Sequence, residues 1–449
     1  MSQDTTAAES RLQRLLVRAV AVRRAEVRAL LWSFAYFFCL LAAYYMLRPL
    51  RDEMGIAGGV RNLPWLFTAT FIVMLAAVPL YGAVVARVPR RRFIPLVYHF
   101  FVLNIAVFWL LLTFDVGRQH VAWIFFVWIS VFNLFAVSVF WSFMADLFAA
   151  EQGKRLFGFI AAGGTAGALA GPALAVGLAV PIGYVNLLII AALLLEAAVW
   201  CAQRLERAVP RHAGALQAAG GAETERDGVG GGWLAGIALI LRSPYLAGIA
   251  AWVSLLSLAG TFLYFQQANI VAAASDDPAV RTRIFATIDL AVGVLTILVQ
   301  CFATGRLMTR FGVGPAAALL PAVFCVGFAV LAVSPALVVI IVFQAVQRTA
   351  NFAVSNPARE VLFTVVEREE KYKAKSVIDT LVFRGADAVS GWLFATLRAV
   401  GMELPLISAA AVPVSLAWLI LALVLGRGQD RRATLRQAEA PRESTTGRA

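Results

Sequence analysis

The chain has 449 residues, of which 61% are hydrophobic and only 14% charged, and its mean hydropathy is +0.79. That usage excludes a soluble globular domain and places the chain among polytopic membrane proteins. The net charge of +13 does not indicate a nucleic-acid binder, because the basic residues collect in polar turns on one side of the membrane rather than in a single patch.

About 20 apolar residues carry a helix across roughly 30 Å of hydrocarbon. Such runs recur twelve times, near 29–48, 63–86, 93–113, 121–144, 156–178, 183–201, 245–266, 284–304, 313–334, 336–356, 376–397 and 405–425. The expected fold is therefore an all-α polytopic membrane protein with twelve transmembrane helices. Residues 1–28 hold six arginines without a cleavable apolar core, so they are no signal peptide. Their leucines, valines and arginines alternate at helical spacing, as in an amphipathic helix lying on an anionic leaflet. Threaded through twelve spans, most Lys and Arg fall on the side of both termini, which the positive-inside rule makes cytoplasmic.

The first span ends in YYMLRPLRDEMG. Tyr44, Arg48, Arg51 and Asp52 fall at i, i+4, i+7 and i+8 and so share one helical face. Two readings stand for that face: an interfacial belt with snorkelling arginines, or the lining of a substrate path. After span two comes GAVVARVPRRR, with Gly82, Arg87 and Pro89. After span eight comes GRLMTRFG, with Gly305, Arg310 and Gly312 at the same offsets. Each copy resembles the loop between helices two and three of the major facilitator superfamily, with Ala86 and Thr309 where an acid is usual. The resemblance implies the major facilitator fold, two six-helix halves at 29–201 and 245–425, with a binding site near the midplane between them. A linker, 202–244, joins the halves, and a basic cytoplasmic tail, 426–449, follows the second. His99 in span three has no partner at ligand spacing and reads as a hydrogen-bonded structural histidine.

In span five, Gly158, Gly167, Gly171 and Pro172 are spaced as in the helix-five signature of superfamily antiporters, with Ala175 and Val176 replacing its closing glycine pair. Physically, such glycines admit close approach of another helix, and Pro172 bends the rod. Span seven ends in Tyr264, Phe265, Gln266 and Gln267, aromatics that either stack on a ring or anchor the helix at the interface. Asp289 lies early in span eight. Span ten carries Gln344, Gln347, Arg348, Asn351 and Ser355 as one polar stripe, with Arg348 about 20 Å from the outer end. Arg384 and Asp387 sit one turn apart in span eleven. An ionised group at bilayer depth costs about 2.5–3.5 kcal/mol on insertion scales, so these residues are expected to face the bundle interior or a water-filled cavity. For the last two the choice is between a self-neutralising i, i+3 pair and an arginine fork offered to an anion. Asp289 and Asp387 are the candidate coupling carboxylates.

Cys39, Cys201, Cys301 and Cys325 lie inside apolar runs without paired spacing, so neither disulfide nor metal site is expected. No phosphate-binding glycine loop, zinc helix or nucleophile elbow occurs, so the chain does not read as an enzyme and needs no cofactor.

Four stretches, YYMLRPLRDEMG, FWSFMADLFAAEQGKRLFG, FLYFQQANI and NPAREVLFTVVEREEKYKAKSVIDTLVFRGADAVSGW, together resemble the ATP/ADP translocase family of nucleotide transporters, and more closely its bacterial relatives. The resemblance implies functional roles for Arg51, for Lys154 and Arg155 before helix five, and for Lys373, Lys375 and Asp379 in the turn into helix eleven. It departs in helix seven, where AGTFLYFQQ lacks the family's charges, and in helix eleven, where Asp387 replaces a lysine. The expected protein is a secondary transporter of the bacterial inner (plasma) membrane. Its expected substrate is an organic anion, with nucleotides and phosphorylated metabolites as the candidates, and membrane lipids are expected partners, nucleic acid not. The lining residues would be Tyr44, Arg48, Arg51, Asp52, Tyr264, Gln266, Gln344, Arg348, Asn351 and Arg384. The alternatives are a proton-coupled exporter of small organic compounds and a non-transporting assembly or lipid-handling protein.

Overall fold

The computed structural model describes residues 26–87, 90–148, 150–208 and 233–443. The amphipathic segment before residue 26, most of the linker, Pro89 and the last six residues of the tail lie outside the described residues. Those described form helices and turns only, in twelve rods: α1 Val27–Ala57, α2 Leu63–Arg87, α3 Arg90–Thr113, α4 Arg118–Leu147, α5 Ala150–Leu178 and α6 Leu187–Ala208. After a ten-residue helix, Trp233–Arg242, come α7 Pro244–Ala274, α8 Pro278–Val299, α9 Val313–Val333, α10 Leu337–Ala350, α11 Phe383–Ala399 and α12 Leu404–Glu443. Single π-turns lengthen three of them: Gln300–Thr304 carries α8 into Gly305–Phe311, Asn351–Ser355 carries α10 into Asn356–Leu362, and Ile378–Val382 joins Arg368–Val377 to α11. Eleven rods among the described residues are long and apolar enough to cross a membrane. The remaining one is α11, whose run is broken by Asp379, Arg384 and Asp387.

Apolar runs located the rods but understated their length. The first span was expected to stop at residue 48, yet α1 continues through Pro49 to Ala57. It stops where Gly59 takes a φ of +90°, a conformation that favours glycine, while the Gly58 carbonyl accepts the Trp123 indole N–H at 2.8 Å. The eighth span was expected from 284, but α8 starts at Pro278 and so takes Arg281 and Arg283 into the helix. His99, read as a hydrogen-bonded structural histidine, makes two contacts: its Nε2 lies 3.4 Å from Glu196 of α6, while Nδ1 donates to the Pro95 carbonyl. A structural role for the ring fits both contacts.

The chain divides into two compact units, one of Met1–Gly58, Ala76–Gly228 and Asp277–Leu290, the other of Gly59–Leu75, Val229–Asp276 and Ala291–Ala449. Within the first unit α1 packs on α5 and α6, and α3 on α6. Within the second α7 packs on α11 and α12, and α9 on α12. The same partner scheme thus recurs six helices later. In the first unit the contact of α1 with α5 is made by glycines. A Cβ at Gly163 would stand 2.5 Å from the Phe34 carbonyl oxygen, and one at Gly171 would stand 2.5 Å from that of Ala42; at Gly167 it would meet the Phe38 carbonyl. Close helix approach is what Gly163, Gly167 and Gly171 of span five provide, whereas a Cβ at Gly158 would meet no neighbour within 4 Å.

Candidate functional site

In the first unit the extension of α1 through Pro49 keeps Tyr44, Arg48, Arg51 and Asp52 on one helix. Arg48 Nη1 reaches Asp289 Oδ1 of α8 at 3.5 Å; the Asp289 side chain is 2% exposed and that of Arg48 21%. The Arg48 guanidinium also stands 6.0 Å from the Tyr45 ring, which packs edge-on against Tyr44 at 5.1 Å. One turn on, Arg51 lies 4.2 Å over the Phe126 ring and 3.7 Å from its neighbour Asp52, which is buried. The structure therefore brings Arg48 and Asp289 together, a pair that sequence spacing did not link.

Sequence reasoning missed Glu53 and Arg281. Glu53 is fully buried, and Arg281 donates to both its oxygens, Nε to Oε2 at 2.7 Å and Nη2 to Oε1 at 2.7 Å. This is the planar fork-on-carboxylate geometry that saturates both partners. Its signal in the sequence was a carboxylate in an otherwise apolar helix and a basic residue near the start of span eight. Beginning that span at 284 put Arg281 outside the helix.

In the second unit Arg384 Nη1 lies 3.6 Å from Asp387 Oδ2, so the i, i+3 pair forms, while 39% of the Arg384 side chain stays exposed. The other Asp387 oxygen accepts from Ser257 Oγ at 2.5 Å and Thr261 Oγ1 at 3.4 Å, both on α7. Asp387 is thus fixed by α7, and Arg384 is only loosely engaged by Asp387. Gln266 is fully buried and its Oε1 accepts from Ser408 Oγ at 2.8 Å, leaving its Nε2 without a hydrogen bond among the described residues. Tyr264 packs on Phe67, ring centroids 5.5 Å apart.

On α10, Gln347 Nε2 donates to Gln344 Oε1 at 2.8 Å, Arg348 is half-buried, and Asn351 opens the π-turn that ends at the buried Ser355. Single π-turns are frequent at functional sites because they re-aim side chains and shift a backbone carbonyl. Here the Ala353 carbonyl accepts Thr304 Oγ1 from the π-turn of α8 at 2.9 Å, so two irregular turns are tied together. Gly305 and Arg310 are exposed on the short helix before Gly312, whose φ is +79°. Gly82 and Arg87 fall in the last turns of α2, where side chains lie outside the described residues.

Two ion pairs cross from the end of α10 to the helix leading into α11, Lys375–Glu360 at 2.6 Å and Arg359–Asp379 at 3.5 Å. In the first unit Glu26 accepts from Gln152 at 2.9 Å and Arg155 at 3.2 Å, joining the starts of α1 and α5. The Lys154 side chain lies outside the described residues. Among the described residues no cluster of three His, Cys, Asp or Glu has the arrangement of a metal site.

No protein-family model matches the chain, and no curated protein matches it in sequence. Solved structures do match in fold. The nucleoside transporter NupG superposes with a TM-score of 0.60 at 14% identity, over 91% of this chain and 99% of that one. A bacterial homologue of the iron transporter ferroportin, in its inward-facing state, gives 0.61 at 16% identity over 90% and 98%. A POT family transporter in complex with 5-aminolevulinic acid gives 0.58 at 12% identity over 90% and 96%. The chain has the twelve-helix major facilitator fold of these membrane transporters.

Proposed function

We propose that the chain is a secondary active transporter that moves an organic anion across the bacterial plasma membrane by alternating access, with both termini cytoplasmic. The observation that carries the anionic substrate is the contrast among its arginines. Arg281 is spent in a bidentate 2.7 Å clasp, whereas Arg48 and Arg384 touch their carboxylates at only 3.5 and 3.6 Å and keep partly exposed side chains. A guanidinium with donors to spare binds phosphate or carboxylate through two parallel hydrogen bonds. Asp289 and Asp387 hold these arginines in the absence of substrate and are the groups whose protonation would couple to its release. The nucleoside transporter of the same fold and the resemblance to nucleotide carriers put nucleotides first among the substrates to test.

The test is exchange in proteoliposomes loaded with unlabelled nucleotide, following labelled ATP, ADP and a panel of smaller phosphates. Exchange that falls at least tenfold in Arg48→Ala and Arg384→Ala is expected. Exchange unaffected by both substitutions, or no flux of any anion while a known nucleotide carrier works in parallel, overturns the reading. One observation favours a second reading, a proton-coupled exporter of small organic compounds: Asp289 is a nearly inaccessible carboxylate in a spanning helix, as a proton site requires. Flux of an uncharged or cationic solute driven by a pH gradient and lost in Asp289→Asn would decide for it.

A further inference from the structure

Two arginines outside the candidate site sit at the end of the second unit formed by the α1–α2, α9–α10 and α11–α12 turns. Arg61 is exposed on the 3-10 turn Val60–Asn62 and has no ion pair among the described residues. Arg398, near the end of α11, donates one Nη1 hydrogen bond to the Met402 carbonyl at 3.1 Å, which orients its guanidinium and leaves Nε and Nη2 available. Both line one cavity of about 440 Å³, together with Asn269 and the apolar walls of Pro64, Phe265 and Phe394. An adjoining cavity of about 630 Å³ shares Arg398 and Asn269, is otherwise mostly apolar, and carries Glu403. That carboxylate repels an anion, so negative charge belongs on the Arg61 side and apolar substance in the second cavity.

The depth of this place is set by two indoles. Trp65 is 61% exposed and Trp392 40%; their rings meet edge-on at 4.8 Å, and Trp392 Nε1 donates to Thr68 Oγ1 at 3.1 Å. Exposed tryptophans with a satisfied N–H mark the headgroup level of a bilayer. We propose that Arg61 and Arg398 clamp the phosphate of an anionic phospholipid from the leaflet opposite the termini, with its glycerol and upper acyl chain in the adjoining apolar cavity. Basic residues are scarce on that side of the chain, and two on one cavity wall supply the fork geometry that phosphate diesters select.

The test uses the full-length protein in detergent and native mass spectrometry, titrating phosphatidylglycerol against phosphatidylcholine with the same acyl chains. The wild type is expected to retain one more phosphatidylglycerol than the double variant Arg61→Gln/Arg398→Gln, with phosphatidylcholine retention equal in the two. An unchanged melting temperature shows that the variant is folded, as expected for two exposed side chains. Equal phosphatidylglycerol retention in wild type and variant overturns the proposal. Millimolar glycerol phosphate separates the two sources of the same chemistry. If it displaces that lipid and binds the wild type but not the variant, the site serves a soluble phosphate ester and the lipid assignment falls.

Discussion

Glu53 has no exposed surface, and both its oxygens are held 2.7 Å from Arg281. Removing one partner of such a pair strands a buried charge, which costs about 3–5 kcal/mol, while replacing both by apolar groups is often neutral. Glu53→Ala is therefore expected to lower the detergent melting temperature sharply, and Glu53→Leu combined with Arg281→Met to recover most of the loss; equal destabilisation by both would refute the clasp. Arg48 is held more loosely: its contact with Asp289 is 3.5 Å long and its side chain 21% exposed. Arg48→Gln leaves the buried Asp289 carboxylate without its cation, so it is expected to cost stability as well as abolish transport, and adding Asp289→Asn is expected to restore the stability but not the flux. Stability and flux measured on the same preparations separate the two effects. The sequence placed Arg48, Arg51 and Asp52 in the candidate site because they share a helical face with Tyr44, and Asp289 because it is charged within an apolar run. It did not join Glu53 to Arg281, 228 residues apart, since helical spacing orders residues on one rod and says nothing of which rod faces which.

The elements show the same division between what is local and what is not. Period and apolarity sufficed to find the rods, and glycine spacing to mark α5 as a packing face. Its partner, α1, appears only in three dimensions, where backbone carbonyls of Phe34, Phe38 and Ala42 lie against Gly163, Gly167 and Gly171. Because those neighbours are main chain rather than mobile side chains, Gly167→Val must push the helices apart, an overpacking cost of about 1–3 kcal/mol or more. Gly158 has nothing within 4 Å of an added Cβ, so Gly158→Ala is expected to stabilise by up to about 1 kcal/mol through helix propensity. Opposite signs of the two melting shifts would support the packing role of the signature glycines, and equal signs would remove it. The π-turns of α8, α10 and α11 had no sequence signal, since an extra residue in a helix leaves the apolar pattern nearly intact. Thr304, whose hydroxyl joins two of them, is the position to probe. Thr304→Val keeps the shape and removes the bond to Ala353, and it is expected to slow exchange while costing about 1 kcal/mol of stability, the usual net worth of one hydrogen bond.

At the scale of the whole chain, sequence order and compact units do not coincide. Asp277–Leu290, from beyond the linker, belongs to the unit built mainly from the first six helices, and it carries both carboxylate and guanidinium partners of α1: Asp289 for Arg48 and Arg281 for Glu53. A fragment ending within the linker therefore keeps the hydrophobic core of α1 and α3 to α6 but loses these partners. Stranding Glu53 alone costs about 3–5 kcal/mol, comparable to much of the 5–15 kcal/mol that stabilises an ordinary domain. Residues 1–230 expressed alone are accordingly expected to aggregate or melt early in detergent. The same fragment with Glu53→Gln, which removes the stranded charge at nearly constant volume, should recover a monodisperse peak and a higher melting temperature. Were the unmodified fragment as stable as the Gln variant, the α1–α8 clasp would contribute nothing to this unit, and its stability would rest on helix packing alone.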